Sequence, residues 1–302
     1  MDLQKLKIFL AIADARQISK AAASLGTVPS QLSRQLTALE RELGGPLFFR
    51  TGRGMTLTEL GERILPRVRS LALEYEGLQQ DIAAGTGTLG GDVRIGMVPS
   101  LVPCVVVLLH RTVGELHPRI LLHITEGSSS ELDAWRTRGD IDLSLLFRHS
   151  RNDLQHEEPL AQVGNYLVAP RGDTLTRAER VPFSALADIP LLIPGAPNGA
   201  RLHLEQLARK RGIALRVALE ASTLSVQTEL TAAGCGYSIM PAHAARREVQ
   251  SGRLQAALID EPDLLRTITL GVTTVRPASA AVREVARIAR TIVQDAFPAP
   301  SA

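Results

Sequence analysis

The chain has 302 residues, 45% of them apolar, a formal net charge of +3 and two cysteines, Cys104 and Cys235. That length suits two or three domains with cores of their own, and the mild positive balance fits nucleic-acid affinity without demanding it. Two thiols far apart in sequence, with no ligand spacing, exclude a disulfide framework and read as reduced cysteines.

The opening run MDLQKLKIFLAIAD predicts an amphipathic helix with Leu3, Leu6, Leu10 and Ala13 on one side. It is too short and too charged for a signal peptide or membrane span, so a cytoplasmic protein with no membrane partner is expected. Ile18 to Leu25 reads as a second helix whose Ala21, Ala22 and Ala23 admit a close neighbour, ended by Gly26 in the left-handed conformation. Thr27 is placed to cap a third helix, with Pro29 in its first turn. In that helix, from about Pro29 to Leu43, Leu32, Leu36, Leu39 and Leu43 line one face. Ser30, Ser33, Arg34 and Thr37 share another face and are candidate readers of DNA.

A short loop, RTGRGMTLT from Arg50 to Thr58, follows the apolar pair Leu47 and Phe48. Arg50 and Arg53 beside Gly52 and Gly54 have the layout of a wing that lays guanidinium groups along phosphates or into a minor groove. Spacing alone also fits a small helical bundle with an ordinary polar surface. The wing and a local excess of eight cations over five acids in residues 1 to 60 favour a winged helix-turn-helix on double-stranded DNA.

Thr58 to about Ala84 predicts one long helix with the apolar stripe Leu60, Ile64, Val68, Leu71, Tyr75, Leu78 and Ile82. Such a stripe asks for a partner helix; the alternative is a helix packed on its own domain. Pro66 inside it predicts a bend. A self-associated dimer would set two reading helices about 34 Å apart and require an inverted-repeat site.

The composition changes at GTGTLGG, Gly85 to Gly91, a joint without apolar period. Short apolar runs then alternate with helical stretches. The first set is Val93 to Met97, a helix from Leu101, Leu121 to Thr125, a helix from Ser130, and Ile141 to Leu146. The second is Tyr166 to Ala169, Leu191 to Pro194, a helix Ala200 to Arg211, Val217 to Glu220, a helix from Ser225, and Tyr237 to Met240. The chain returns through Thr267 to Val272 and a last helix from about Ser279. The pattern predicts a two-lobed α/β domain with largely parallel sheets, as in periplasmic binding proteins.

In such folds ligands sit at the carboxyl ends of strands. Pro99 and Ser100 follow the first strand, Ser128 and Ser129 the second, and Asn198 and Gly199 precede the helix carrying Arg201. Helix N-termini there would favour an anion or carboxylate; the alternative is that these residues only cap helices. Phe147 could close an apolar side or belong to the core, and Arg201 and Arg148 are candidate partners for a carboxylate. His117 and His123 have no metal spacing, and no acid and base are placed to activate a serine, so neither metal, cofactor nor catalysis is expected. Cys104 reads as an inert buried thiol, with a redox sensor facing the cleft as the alternative.

The run LSRQLTALERELGGPLFFRTGRGMTLTELGE, Leu32 to Glu62, resembles the N-terminal signature of LysR-type transcriptional regulators. The similarity continues through DVRIGMVPS, EGSSSEL, GDIDLSLL, ADIPLLIPGAPNG and AAGCGYSIMP. The resemblance implies an overall α+β protein: a winged helix-turn-helix at 1–60, a dimerisation linker helix and hinge at 58–90, and an effector domain at 91–302. In that domain lobe 1 covers 91–161 and 266–302, and lobe 2 covers 162–265. It further implies a dimer or tetramer answering to a small-molecule effector, with RNA polymerase as a candidate partner at the promoter. One departure stands out: members commonly carry Gln then Pro or Ser where this chain has Pro29 and Ser30. The base contact of that glutamine either passes to Ser30 or Gln31 or is lost. A solute-binding protein, or an enzyme domain fused to a DNA-binding head, are the rival readings.

Overall fold

The computed structural model describes residues 2–52, 54–84, 89–149 and 157–298. The chain divides into two units, Met1–Ile82 with Val275–Ser279, and Ala83–Thr274 with Ala280–Ala302.

The first unit begins with α1, Leu3–Ala15, capped by Asp2, whose Oδ1 accepts from Lys5 N at 2.9 Å. Its buried face is Leu6, Ile8, Phe9 and Ile12, rotated from the expected Leu3, Leu6, Leu10 and Ala13. The bulky Phe9 sets that rotation by packing on Phe48 with ring centroids 5.4 Å apart; Leu10 and Ala13 pack at the edge. α2, Ile18–Ser24, buries Ala21 and Ala22, and Gly26 turns the chain at φ 62°. α3, Pro29–Leu43, buries Leu32, Leu36 and Leu39. Its capping position is Val28, which has no side-chain acceptor, so the expected Thr27 cap is absent; Thr27 Oγ1 donates instead to Gln31 Oε1 at 3.2 Å.

β1, Phe48–Thr51, and β2, Gly54–Leu57, form the antiparallel wing. Gly54 at φ 133° is obligatory: a Cβ there would stand 2.4 Å from Arg16 O, which also accepts from Met55 N at 2.8 Å. α4, Glu59–Ala84, starts two residues later and contains Pro66. Its apolar stripe splits in two. Val68 is buried and Leu60 and Ile64 pack against the unit's own core, whereas Leu71, Tyr75, Leu78 and Ile82 are exposed. The first three positions assigned to dimerisation therefore serve the core, because the helix begins on the module before outrunning it.

The second unit holds two sheets. In lobe 1, β3 (Gly90–Met97), α5 (Val102–Leu116), β4 (Arg119–Glu126), α6 (Ser129–Arg138), β5 (Leu143–Arg148) and β6 (Glu157–Val163) are joined late by β13 (Arg266–Val272) and α10 (Ala280–Ala296). The strand order is β4-β3-β5-β13-β6. Pro99–Leu116 is apolar and long enough by composition to cross a membrane, yet Val105, Leu109 and Val113 are buried at 0 to 1% exposure, as befits a helix packed in a lobe.

Lobe 2 contains β7 (Asn165–Pro170), β8 (Arg180–Pro182), β9 (Pro190–Ile193), α7 (Gly199–Arg211), β10 (Arg216–Glu220), α8 (Leu224–Ala232), β11 (Tyr237–Pro241), α9 (Ala242–Gln250) and β12 (Leu254–Asp260). Its order is β10-β9-β11-β7-β12-β8. The sheets are mixed rather than largely parallel: β13 runs antiparallel to β5 and β6, and β7 antiparallel to β11 and β12. The chain crosses between the sheets at Gly164 and again at Leu265, and each crossing feeds a strand in the reverse direction.

Candidate DNA-reading face and effector cleft

On α3, burying the leucine face leaves Ser30, Gln31, Arg34 and Thr37 exposed and Ser33 half-buried. Thr37 Oγ1 donates back to Ser33 O at 3.0 Å, so its hydroxyl is partly spent on the helix itself. Arg50, exposed on β1, donates from Nη2 to Ser33 Oγ at 2.7 Å and so joins the wing to α3. Arg34 has no hydrogen bond or ion pair among the described residues, which leaves its fork of donors available. Arg53 lies outside the described residues. Two acids of the head are paired away from this face, Glu42 with Lys5 and Asp14 with Arg69.

In the second unit, strand ends of both lobes open on one cavity of about 340 Å³. All eight residues expected from sequence line it: Pro99, Ser100, Ser128, Ser129, Phe147, Asn198, Gly199 and Arg201. Several of them also cap helices. Ser128 and Glu131 form a capping box, with Ser128 N donating to Glu131 Oε2 at 2.8 Å, and Asn198 Oδ1 accepts from Arg201 N at 3.1 Å. Ser129 Oγ donates to Phe147 O at 3.4 Å, which ties α6 to the end of β5. Ser100, in a short 3-10 turn ahead of α5, has no side-chain partner among the described residues.

Arg201 reaches the cavity already neutralised: Nε donates to Glu205 at 2.7 Å and Nη1 to Glu220 at 2.5 Å, and these bonds raise its pKa. Arg148, a sequence candidate for the effector carboxylate, is engaged elsewhere. It donates to Asp133 at 2.6 and 2.8 Å and pairs with Glu157, whose side chain is fully buried, and it is not among the lining residues. Burial pulls the Arg148 pKa down, but the two carboxylates hold it above the ordinary arginine value.

The sequence reading missed Arg266, at the start of β13 where the chain crosses back into lobe 1. It lines the cavity, its guanidinium carbon lies 5.6 Å from the Phe147 ring centroid, and its Nε is buried without a partner among the described residues. Burial lowers its pKa to about 10, with no carboxylate to raise it. His149 and Asn165, also missed, line the same space; His149 Nδ1 and Asn165 Oδ1 are likewise buried and unpartnered. Burial, reinforced by Arg266, His203 and Arg148, lowers the His149 pKa to about 3, so the ring is neutral. Asn165 Nδ2 donates to Leu264 O at 2.5 Å, a bond between the two crossing segments. Asn165 and Arg266 fall on crossings, and His149 just past the end of β5, rather than on the strand-to-helix turns that the sequence pattern marks.

Neither cysteine lines the cavity. Cys104 is half-buried on α5 with its thiol pKa raised by burial, and Cys235 is exposed after α8. His117 pairs with Glu284 at 3.2 Å and His123 with Asp92 at 2.7 Å. Among the described residues no three His, Cys, Asp or Glu side chains group to hold a metal.

Two family models match the chain: the bacterial regulatory helix-turn-helix of the lysR family over residues 3–62, and the LysR substrate binding domain over 86–293. A probable hydrogen peroxide-inducible genes activator of Mycobacterium avium is 30% identical over 266 residues, 88% of this chain and 86% of its own. Among solved structures, a C206 mutant of OxyR from Corynebacterium glutamicum is 25% identical with a TM-score of 0.61, covering 98% of this chain and 93% of its own. Full-length CbnR in complex with its target DNA shares the fold with a TM-score of 0.68 at 22% identity, covering 98% and 100%.

Proposed function

The chain belongs to the LysR family of transcriptional regulators, DNA-binding proteins and not enzymes, and we propose that its promoter activity answers to a small anionic effector held between the two lobes. The observation that carries this reading is the convergence, in one cavity, of helix N-terminal ends from both lobes, at Ser100, Ser128 and Asn198. The positive ends of these helix dipoles favour negative charge. A carboxylate bound there touches lobe 1 and lobe 2 together and so favours one lobe arrangement over another, which is what a switch requires.

In this reading the protein acts in the cytoplasm as a dimer or dimer of dimers on an inverted repeat. The exposed Leu71, Tyr75, Leu78 and Ile82 supply the self-contact, and RNA polymerase reads the resulting promoter geometry. Peroxide, named for the Mycobacterium avium relative, is a poorer fit to this cleft, because both thiols lie outside its lining.

A thermal-shift screen of small organic acids on the full chain tests the proposal. An anion that stabilises the wild type, loses its effect in Ser100→Ala and leaves that variant's promoter affinity intact supports it. Stabilisation that persists undiminished in Ser100→Ala, or no stabilising anion at all, overturns it.

A further inference from the structure

We propose that the effector is a monocarboxylate with an apolar body, anchored by Arg266; this rests on the anionic reading above and narrows it. The first support is the charge account of the cavity wall. Arg201 and Arg266 are its cations, Glu126 and Glu131 its acids, and Arg201 is already matched by Glu205 and Glu220. That leaves Arg266 as the lining arginine with no carboxylate partner among the described residues, its Nε buried and unbonded there. A second negative charge on the ligand would find no free cation and would face Glu126 and Glu131.

The second support is the distribution of unpaired polar atoms. Arg266 Nε, His149 Nδ1 and Asn165 Oδ1 are all buried without a partner among the described residues, and all belong to residues lining this one cavity. Buried orphans are rare in folded proteins, and their gathering marks a place where a ligand or water completes the bonding. Arg266 offers the charge-assisted bonds, and the neutral His149 ring can add one hydrogen bond without adding charge.

The third support is the rest of the wall. Ile193, Leu204, Ile239, Met240 and Leu264 are each at most 9% exposed and bring apolar surface to the same space. A volume of about 340 Å³ is at the small end of the roughly 300–1,000 Å³ typical of small-molecule sites. A compact ring or short branched chain bearing one carboxylate fills both halves, whereas a small polyanion leaves the apolar half wet.

The test compares four probes on the full chain by thermal shift and by isothermal titration: benzoate, its neutral counterpart benzamide, succinate and inorganic phosphate. Benzoate is expected to raise the melting temperature and the other three to leave it unchanged. Arg266→Met should weaken benzoate by about ten- to a hundredfold, the loss of a charge-assisted bond. Arg266→Lys, which keeps the charge, guards against a folding defect and should retain part of the affinity. Stabilisation by succinate or phosphate in preference to benzoate overturns this inference while leaving the anionic reading standing. Equal stabilisation by benzamide, or unchanged benzoate affinity in Arg266→Met, removes Arg266 as anchor and the monocarboxylate with it. Silence of all four probes overturns the inference, and the wider acid screen then decides the anionic reading by itself.

Discussion

Arg50 of the wing donates a 2.7 Å hydrogen bond to Ser33 Oγ on α3, so a residue suited to phosphate is held by one suited to bases. The bond pre-orients a long side chain that would otherwise be ordered only on binding. Ser33→Ala should cost about 1 kcal/mol of specific affinity while leaving the salt dependence as it was. Arg50→Ala should also lower the salt slope by about one unit, the signature of one lost phosphate contact. Anisotropy titrations at several salt concentrations separate the two, and an unchanged slope in Arg50→Ala would rule out the phosphate role.

Arg34 is one residue beyond Ser33, exposed and without a partner among the described residues. An arginine so placed on a reading helix suits the O6 and N7 acceptors of guanine. Arg34→Ala should weaken binding to the cognate site by about 1–3 kcal/mol and relax preference at one base pair, with the head still folded. Footprinting and competition with single-base variants of the site check this; identical preference in the variant would sink the guanine contact.

The head was legible in sequence because its signals are local: leucine spacing sets α3, Gly26 and Gly44 stop helices in the left-handed conformation, and the wing follows from glycine and arginine in a short loop. The cleft was legible where a strand ends and a helix begins, since Ser128 and Asn198 occupy cap positions with their own sequence pattern. Arg266, His149 and Asn165 were not, because their meeting joins two crossings and the end of β5, segments far apart in the chain, and no period announces it. β8, with three residues, is too short for an alternation signal, and α9 buries only His243 and Ala245 on an otherwise charged sequence. The split in the α4 stripe was invisible for the same reason: one apolar period serves both the local core and an outward face.

That split makes a contrast measurable. Leu78 and Ile82 are 56% and 66% exposed, whereas Val68 is 8% exposed within the head's core. Leu78→Glu should leave the head folded but shift the protein toward monomer in analytical ultracentrifugation and reduce affinity for the inverted repeat toward that of a half-site. Val68→Glu should instead unfold the head, because it buries an unpaired charge. An undisturbed oligomer in Leu78→Glu would show that self-association does not run through this face.

His243 packs between Phe147 and Phe297, with ring centroids 6.1 and 4.9 Å away, and its pKa is lowered to about 4 by burial and by the nearby Arg246 and Arg266. His149 is lowered further, to about 3. Both rings therefore stay neutral in the folded protein at pH 5, while in the unfolded chain they take up protons below about 6.5. The unfolded state then binds more protons, so stability falls as the pH drops through 6.5 and continues to fall until the folded rings titrate near 4 and 3. Between pH 7 and pH 5 each histidine accounts for a loss of about 2 kcal/mol at most. Glu284, held near 2 chiefly by Arg287, gives up its stabilisation only below its ordinary range near 4.5, outside this window. His243→Phe keeps a ring among aromatic neighbours and removes one titration, so it should flatten the decline by about that amount. Trp135, the single tryptophan, lies in lobe 1 and makes urea unfolding followed by its fluorescence a direct readout of this domain. Parallel declines for wild type and His243→Phe between pH 7 and pH 5 would show that this imidazole is not the group that titrates.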